Sequence, residues 1–204
     1  MNRIDDPRLL FYLKHQELID EWAAVKDDVR HAAIDFYESL ADDLEEQAES
    51  IGGDVIVVRK HGGYGYVGLA NPAWVGEEEA RVAIVLEWQR SSASFISGWR
   101  EVGVRVEPSV QGYQELSEAI RGRVHSTRGA AGFPSSNKIW PAHAAAPGAA
   151  DPEYWTDLGS FRHELVSQVR AAWDAFSTDI DGAVQENPMH DVSSAEEDNT
   201  QEGT

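Results

Sequence analysis

The segment RVAIVLEWQRSS, residues 81 to 92, places an acid and an amide at the end of an apolar run. The run predicts a buried strand, and Glu87 follows where another Val or Ile would pack better. Residues i and i+2 of a strand face the same side, so Glu87 and Gln89 would project together. In that geometry Glu87 is a candidate ligand for Mg²⁺ or Mn²⁺, and Gln89 is a candidate to position an attacking water. The alternative interpretation is that Glu87 only marks the point where the strand reaches solvent.

The distribution of charge points to a second kind of chemistry, the binding of anions. Residues 1–80 hold 18 acids and 7 Lys or Arg, residues 139–204 hold 13 and 2, and residues 81–138 hold 5 acids and 8 bases. A basic segment in a chain of formal charge -19 is a candidate surface for phosphate or carboxylate groups. The alternative is that these bases pair with acids of the flanking helices. The candidate nucleic-acid or anion contacts are Arg90, Arg100, Arg121, Arg123, Arg128 and Lys138.

Composition removes several classes of protein. With no cysteine, the chain has no disulfide framework, no thiol nucleophile and no cysteine-based zinc site. The seven histidines include no HExxH or HxxxH pair, and the sequence has neither a G-x-S-x-G elbow nor a P-loop. No apolar run reaches the roughly 18 residues of a membrane span, and the first residues do not resemble a signal peptide. We therefore expect a cytoplasmic protein without a membrane partner.

The order of elements predicts an α+β fold. Asp6 and Pro7 predict the start of a first helix, and a second helix is predicted from Asp28 to Ser50, ended by Gly52 and Gly53. The segments DVIVVRK and YGYVGLA predict a hairpin, the segment at residue 81 a further strand, and SFISGWR and EVGVRVE two more. YQELSEAIRGRV predicts a helix, IWPAH a short edge strand and AHAAAPGAADP a linker.

The C-terminal part of the chain predicts a long amphipathic helix and a tail. Residues 152–176 carry an apolar stripe at helical spacing, whereas residues 187–204 are polar, acidic and without periodicity. The sequence thus predicts one α+β domain over residues 1–186 and a disordered acidic tail over residues 187–204. The domain would have N-terminal helices, a small mixed or antiparallel sheet, a helix packed on that sheet, and the long C-terminal helix.

Between residue 29 and about residue 176 this order resembles the PD-(D/E)XK nuclease superfamily. The core of that family is a helix, three strands, a helix and a strand, and Glu87-Trp88-Gln89 would occupy the place of its acid-x-lysine triplet, with Gln in the lysine position. The resemblance implies a divalent metal held by Glu87. The family's second acid, expected on the preceding strand, has no counterpart in YGYVGLA, and Glu45 or Glu49 of the preceding helix are candidate substitutes.

Two function classes remain open at this point. The first is a PD-(D/E)XK-like protein, degenerate or active, that binds nucleic acid or cleaves it with Mg²⁺ or Mn²⁺. The second is a noncatalytic protein–protein interaction module, in which the terminal helices dock a partner. The position of a second carboxylate relative to Glu87 separates the two classes.

Overall fold

The fold is α+β, as predicted, with three helices and one five-stranded sheet in the described part of the chain. The computed structural model describes residues 6–77, 79–89, 100–146, 154 and 156–188. The element order is α1 (Pro7–Ile51), β1 (Ile56–Lys60), β2 (Tyr64–Ala70), β3 (Val82–Gln89), β4 (Arg100–Val106), α2 (Tyr113–Val124), β5 (Ala142–Ala145) and α3 (Leu158–Glu186).

The N-terminal region forms one helix of 45 residues where two helices were predicted. Asp6 caps its start by accepting a hydrogen bond from the backbone N–H of Arg8 at 2.9 Å, and Gly52 ends it at a φ of 78°. The prediction of a new helix at Asp28 is wrong because the segment EWAAVKDD contains no Gly or Pro that would break the helix. A local break does occur earlier, at His15, where φ is -122° and ψ is 18°.

The sheet is an antiparallel meander in the order β1-β2-β3-β4-β5. The predicted hairpin forms β1 and β2, and the strand at residue 81 forms β3 in the middle of the sheet. The predicted edge strand IWPAH is confirmed at Ala142 and His143, which begin β5. The predicted linker is wrong at its first four residues, Ala142–Ala145, which form β5 because they pair with the otherwise open edge of β4. Of the predicted strand SFISGWR, only Arg100 lies within the described residues.

The helices pack against the more apolar face of the sheet. Tyr37 of α1 stacks on Trp88 of β3 with ring centroids 5.1 Å apart, and Phe36 stacks on Phe161 of α3 at 5.4 Å. Trp173 of α3 is buried, as its place in the predicted stripe requires. These contacts join both long helices and the central strand in one core.

Both remaining helices form where they were predicted, but the bounds of α3 differ from the prediction. α2 has the predicted bounds, whereas α3 begins six residues later than predicted, after the N-cap Asp157, and continues to Glu186. Asn187 and Pro188 follow α3, and the remainder of the predicted tail lies outside the described residues. None of the helices described is both long and apolar enough to cross a membrane.

Candidate functional site

The face of the sheet opposite the helices carries the predicted strand-end residues. The register pairs Glu87 of β3 with Tyr66 of β2 on one side and with Glu101 of β4 on the other. Glu87 and Gln89 share this face, as the strand period predicts. Gln89 is the last residue of β3, partly buried and opposite Tyr64.

Glu87 is buried in an ion-pair network instead of facing solvent. The Nε of Arg105 donates to Oε2 of Glu87 at 2.5 Å, and its Nη1 donates to Oε2 of Glu107 at 2.7 Å. Lys60 Nζ contacts Oε2 of Glu107 at 2.8 Å and Oε2 of Glu79 at 3.0 Å. We call these five residues the strand-end cluster: Lys60, Glu79, Glu87, Arg105 and Glu107. Three carboxylates are thus held by two cations within one connected network.

Burial and pairing together shift the pKa values of Glu87 and Glu107 in opposite directions. Burial raises the pKa of Glu87 above its ordinary 4.5, and Arg105 only partly offsets this effect. Burial also acts to raise the pKa of Glu107, but hydrogen bonds from Lys60 and Arg105 outweigh it, so the pKa of Glu107 is lowered. Burial of Tyr66, whose ring lies 5.1 Å beneath the Arg105 guanidinium, raises the pKa of its phenol. Glu107 is therefore the anchored carboxylate, whereas Glu87 carries the larger uncompensated desolvation.

The strand-end cluster bears on the metal chemistry predicted for Glu87. The Oε2 that would bind a divalent cation already accepts from Arg105, so a metal ion would have to approach a guanidinium or displace it. Glu101, the nearest acid in register, is occupied as well, because its Oε2 lies 2.7 Å from Nδ1 of His143. Across the described residues, no three His, Asp or Glu side chains are grouped so that they would hold a metal ion. Neither candidate substitute on α1 joins Glu87: Glu45 pairs with Arg59 at 2.6 Å, and Glu49 lies on the exposed surface near the end of the helix.

The candidate anion contacts occupy several separate places. Arg100 is buried under α1, with its guanidinium 5.3 Å from the centroid of the Tyr37 ring, and its burial lowers its pKa. Arg123 pairs with Glu186 of α3 at 2.5 Å, Lys138 is exposed on the loop before β5, and Arg90 lies outside the described residues. Arg100 is therefore buried and Arg123 is paired with an acid, so both side chains are used within the fold.

Arg121 and Arg128 do come together, in an open groove beside α2. The groove has a volume of about 550 Å³, and Arg121, His125 and Arg128 follow one another along its wall. We call it the α2 groove; its lining residues are Glu118, Arg121, Gly122, His125, Arg128 and Ser136. With two arginines and one acid, it is the part of the predicted basic surface that remains open to an anion.

The N-terminal half of α1 is a third feature, and none of the described residues buries it. Every buried residue of α1 lies between Ala33 and Leu44, so residues 7–32, which we call the α1 arm, contain none. At 1.5 Å per residue the α1 arm is roughly 39 Å long. Ile19 is partly buried, whereas the other nine large apolar side chains of the arm remain 39–67% exposed: Leu9, Leu10, Phe11, Tyr12, Leu13, Leu18, Trp22, Val25 and Val29.

Several of these features were not singled out from the sequence. Glu107, Lys60 and the Glu101–His143 pair required the register of the sheet, although the alternation of charged and apolar residues in REVGVRVE indicates one polar face of β4. The apolar spacing of the α1 arm is visible in the sequence, but spacing does not reveal whether a stripe is covered.

No known protein family, curated protein or solved structure matches this chain.

The opposite pKa shifts in the strand-end cluster predict opposite effects of pH. Because the folded-state pKa of Glu87 is raised, its contribution to stability is full below pH 4.5 and is lost as the pH rises through the raised value. Because the folded-state pKa of Glu107 is lowered, its contribution is present above pH 4.5 and is lost as the pH falls through the lowered value.

Urea unfolding of the wild type, Glu87→Gln and Glu107→Gln across a pH series measures these contributions. Relative to the wild type, Glu87→Gln should gain stability as the pH rises above about 4.5, the ordinary glutamate pKa, whereas Glu107→Gln should lose it as the pH rises toward that value. Each variant serves as the control for the other, since both remove one carboxylate from the same network. Differences that stay constant with pH would show that neither carboxylate changes its pKa on folding.

Proposed function

We propose that this chain is a noncatalytic protein-interaction module that docks a helical partner along its α1 arm. The observation that carries the proposal is the uncovered apolar surface of the arm, which includes Trp22 at 67% and Phe11 at 61% exposure. Large contiguous apolar patches on soluble proteins mark interaction sites. A long helix with such a stripe also gains little stability alone, because most helical stability comes from packing of the apolar face.

The geometry of the arm favours another helix as the class of partner. After the break at His15, the arm presents Leu18, Trp22, Val25 and Val29 at helical spacing, and an amphipathic helix offers the matching stripe. The same face of α1 is already used in this way farther along, where Phe36 packs on Phe161 of α3. A partner helix on the arm would continue that packing beyond the end of the domain.

The strand-end cluster supports the noncatalytic part of the proposal. Both carboxylates that flank Arg105 are used as its acceptors, and the nearest alternative acid, Glu101, is used by His143. A metal ion at Glu87 would have to compete with the Arg105 guanidinium, which already pairs with that carboxylate. Glu87 in this proposal stabilises the polar face of the sheet and binds no metal.

Site-specific photo-crosslinking in cells tests the docking proposal with the full chain. A benzophenone side chain replaces Trp22 on the apolar side of the arm in one variant and Asp27, on the opposite side of the helix, in the matched control. We expect a polypeptide adduct at position 22 in clear excess over position 27, because only the apolar side would be covered by a partner. Equal yields at both positions, or no adduct at either, would contradict docking on this side of the arm.

The α2 groove supports a second candidate function, that of a nucleic-acid-binding, PD-(D/E)XK-like protein. Arg121, His125 and Arg128 line a groove that is open to phosphate groups, within a chain that is otherwise strongly acidic. In that candidate Glu87 holds Mg²⁺ or Mn²⁺ and Gln89 positions water, as the resemblance implies.

Thermal unfolding with and without Mn²⁺ separates the two candidates. The wild type and Glu87→Gln are compared at constant ionic strength, so that screening of the acidic surface is the same in both. The docking proposal predicts equal Mn²⁺ shifts in the two proteins, because no metal is bound at Glu87. A stabilisation by millimolar Mn²⁺ that Glu87→Gln abolishes would instead establish a metal site there, by linkage of binding to folding.

A further inference from the structure

Five of the nine exposed apolar residues of the α1 arm, together with His15 at its local break, follow the spacing of a coiled-coil seam. Phe11, His15, Leu18, Trp22, Val25 and Val29 recur at alternating intervals of four and three residues. With Trp22 assigned to heptad position a, His15 and Val29 also fall at a, and Phe11, Leu18 and Val25 fall at d. We call these six residues the arm seam. Phe36, one heptad after Val29, continues the same register into the domain core, where it is buried.

The apolar side chains of the arm seam supply a large part of one side of a protein interface. Phe11, Leu18, Trp22, Val25 and Val29 expose on the order of 500 Å² in total, given about 150–250 Å² for a fully exposed aromatic side chain and less for Leu and Val. The other exposed apolar side chains of the arm lie off the seam: Leu9, Leu10, Tyr12 and Leu13. A standard interface buries about 800 Å² on each partner. The arm seam therefore supplies more than half of one side of a standard interface.

We propose, resting on the docking function above, that the helix covering the arm seam is the antiparallel α1 arm of a second copy of this chain. The domain occupies the seam side of α1 from Ala33 onward, so a helix lying on the seam must end there. α1 itself begins at Pro7, so two antiparallel arms that overlap fully place Pro7 of each copy beside Ala33 of the other. Facing residues in this arrangement have numbers that add up to about 40.

The heptad register permits the same alignment, because layers of a against d form when the facing residue numbers add up to 33, 40 or 47. In an antiparallel pair of helices, the a residues of one helix form layers with the d residues of the other. Trp22 then faces Leu18 of the second copy, His15 faces its Val25, and Val29 faces its Phe11. Each of these pairs also adds up to 40, so packing of the seam and the length limit imposed by the domain agree.

The charges of the arm are compatible with this antiparallel pairing. Residues 7–32 hold 5 acids and 4 bases, so the arm is almost neutral although the chain carries -19. In the antiparallel pair Lys14 lies beside Asp28 of the second copy on both sides of the interface, whereas Glu21 of each copy meets its equivalent near the twofold axis. The two acidic domains lie at opposite ends of arms that are roughly 39 Å long. That separation exceeds the Debye length of about 8 Å, so their repulsion is screened.

Sedimentation of the purified full chain across a concentration series tests the proposal. The wild type should form a dimer, and Trp22→Asp should raise its dissociation constant about a hundredfold or more, because it buries a charge in the central layer. Ala24→Asp adds the same charge away from the seam and should leave the dimer largely intact. Near-UV circular dichroism, which reports the buried Trp74, Trp88 and Trp173, checks that each variant keeps its domain folded.

Disulfide trapping tests the direction of the arms, and the absence of native cysteines removes any background. Leu18→Cys and Trp22→Cys are prepared with tags of different mass and oxidised separately and together. The antiparallel register predicts disulfide-linked dimers in the mixture, between the two variants, and little from either variant alone. Efficient linkage of each variant with itself would show parallel arms and overturn the register.

The remaining outcomes distinguish this inference from the function on which it rests. A purified wild type that stays monomeric at every concentration, or equal effects of Trp22→Asp and Ala24→Asp, would overturn the second copy as the occupant. If photo-crosslinking at position 22 still captured a different polypeptide in cells, docking on the arm would stand without self-association. If position 22 gave no adduct either, both proposals would fail.

Discussion

The feature on which the architecture depends is an apolar stripe on α1 that is longer than the sheet available to cover it. From Ala33 to Leu44 the helix is buried against the sheet and α3, and this contact fixes α1 relative to the domain. Before Ala33 the same helix face continues without a partner among the residues that the structure describes, and its large apolar side chains are mostly exposed. Hydrophobic burial is the dominant favourable term in folding and association, so an exposed continuation of a core face is a surface that favours a partner.

The polar face of the sheet shows how the fold pairs its buried charges with one another. Arg105 lies between Glu87 and Glu107, and Lys60 connects Glu107 to Glu79, so each buried carboxylate contacts a cation. Such a network is costly to break but adds little net stability compared with apolar packing. Its physical role here is to satisfy the groups on the sheet face opposite the helices. In the proposed account the α1 arm serves association, whereas the strand-end cluster satisfies the charged groups of the sheet.

Much of the fold could be predicted because its signals are local. The alternation in EVGVRVE and the helical spacing in YQELSEAIRGRV identify β4 and α2 from neighbouring residues alone. Only the first two residues of β5 were predicted as strand, at the end of IWPAH, and the others were assigned to a linker, because alanines gain strand structure here only by pairing with β4, a long-range contact. The division of α1 into two helices failed because polar residues near Asp28 resemble a helix start, although nothing there interrupts the backbone.

Residues of the candidate site could be predicted from the sequence, but their contacts with one another could not. The period of a strand places Glu87 and Gln89 on one face, yet whether that face binds a cation depends on Arg105, 18 residues away, and on Lys60, which reaches Glu107 across 47 residues. The basic segment was visible as a charge count, whereas the burial of Arg100 and the pairing of Arg123 depend on how α1 and α3 pack. The order of charged residues in a sequence does not show which of their side chains the fold buries.

Amide hydrogen exchange of the purified full chain across a series of concentrations tests most directly whether the α1 arm is covered by a second copy. Residues 33–44 are packed in the domain and should exchange slowly at every concentration, which provides an internal reference. Residues 16–32 should exchange slowly when the chain is concentrated and rapidly after dilution, because their protection depends on a second arm. Rapid exchange of residues 16–32 at every concentration would contradict this arrangement.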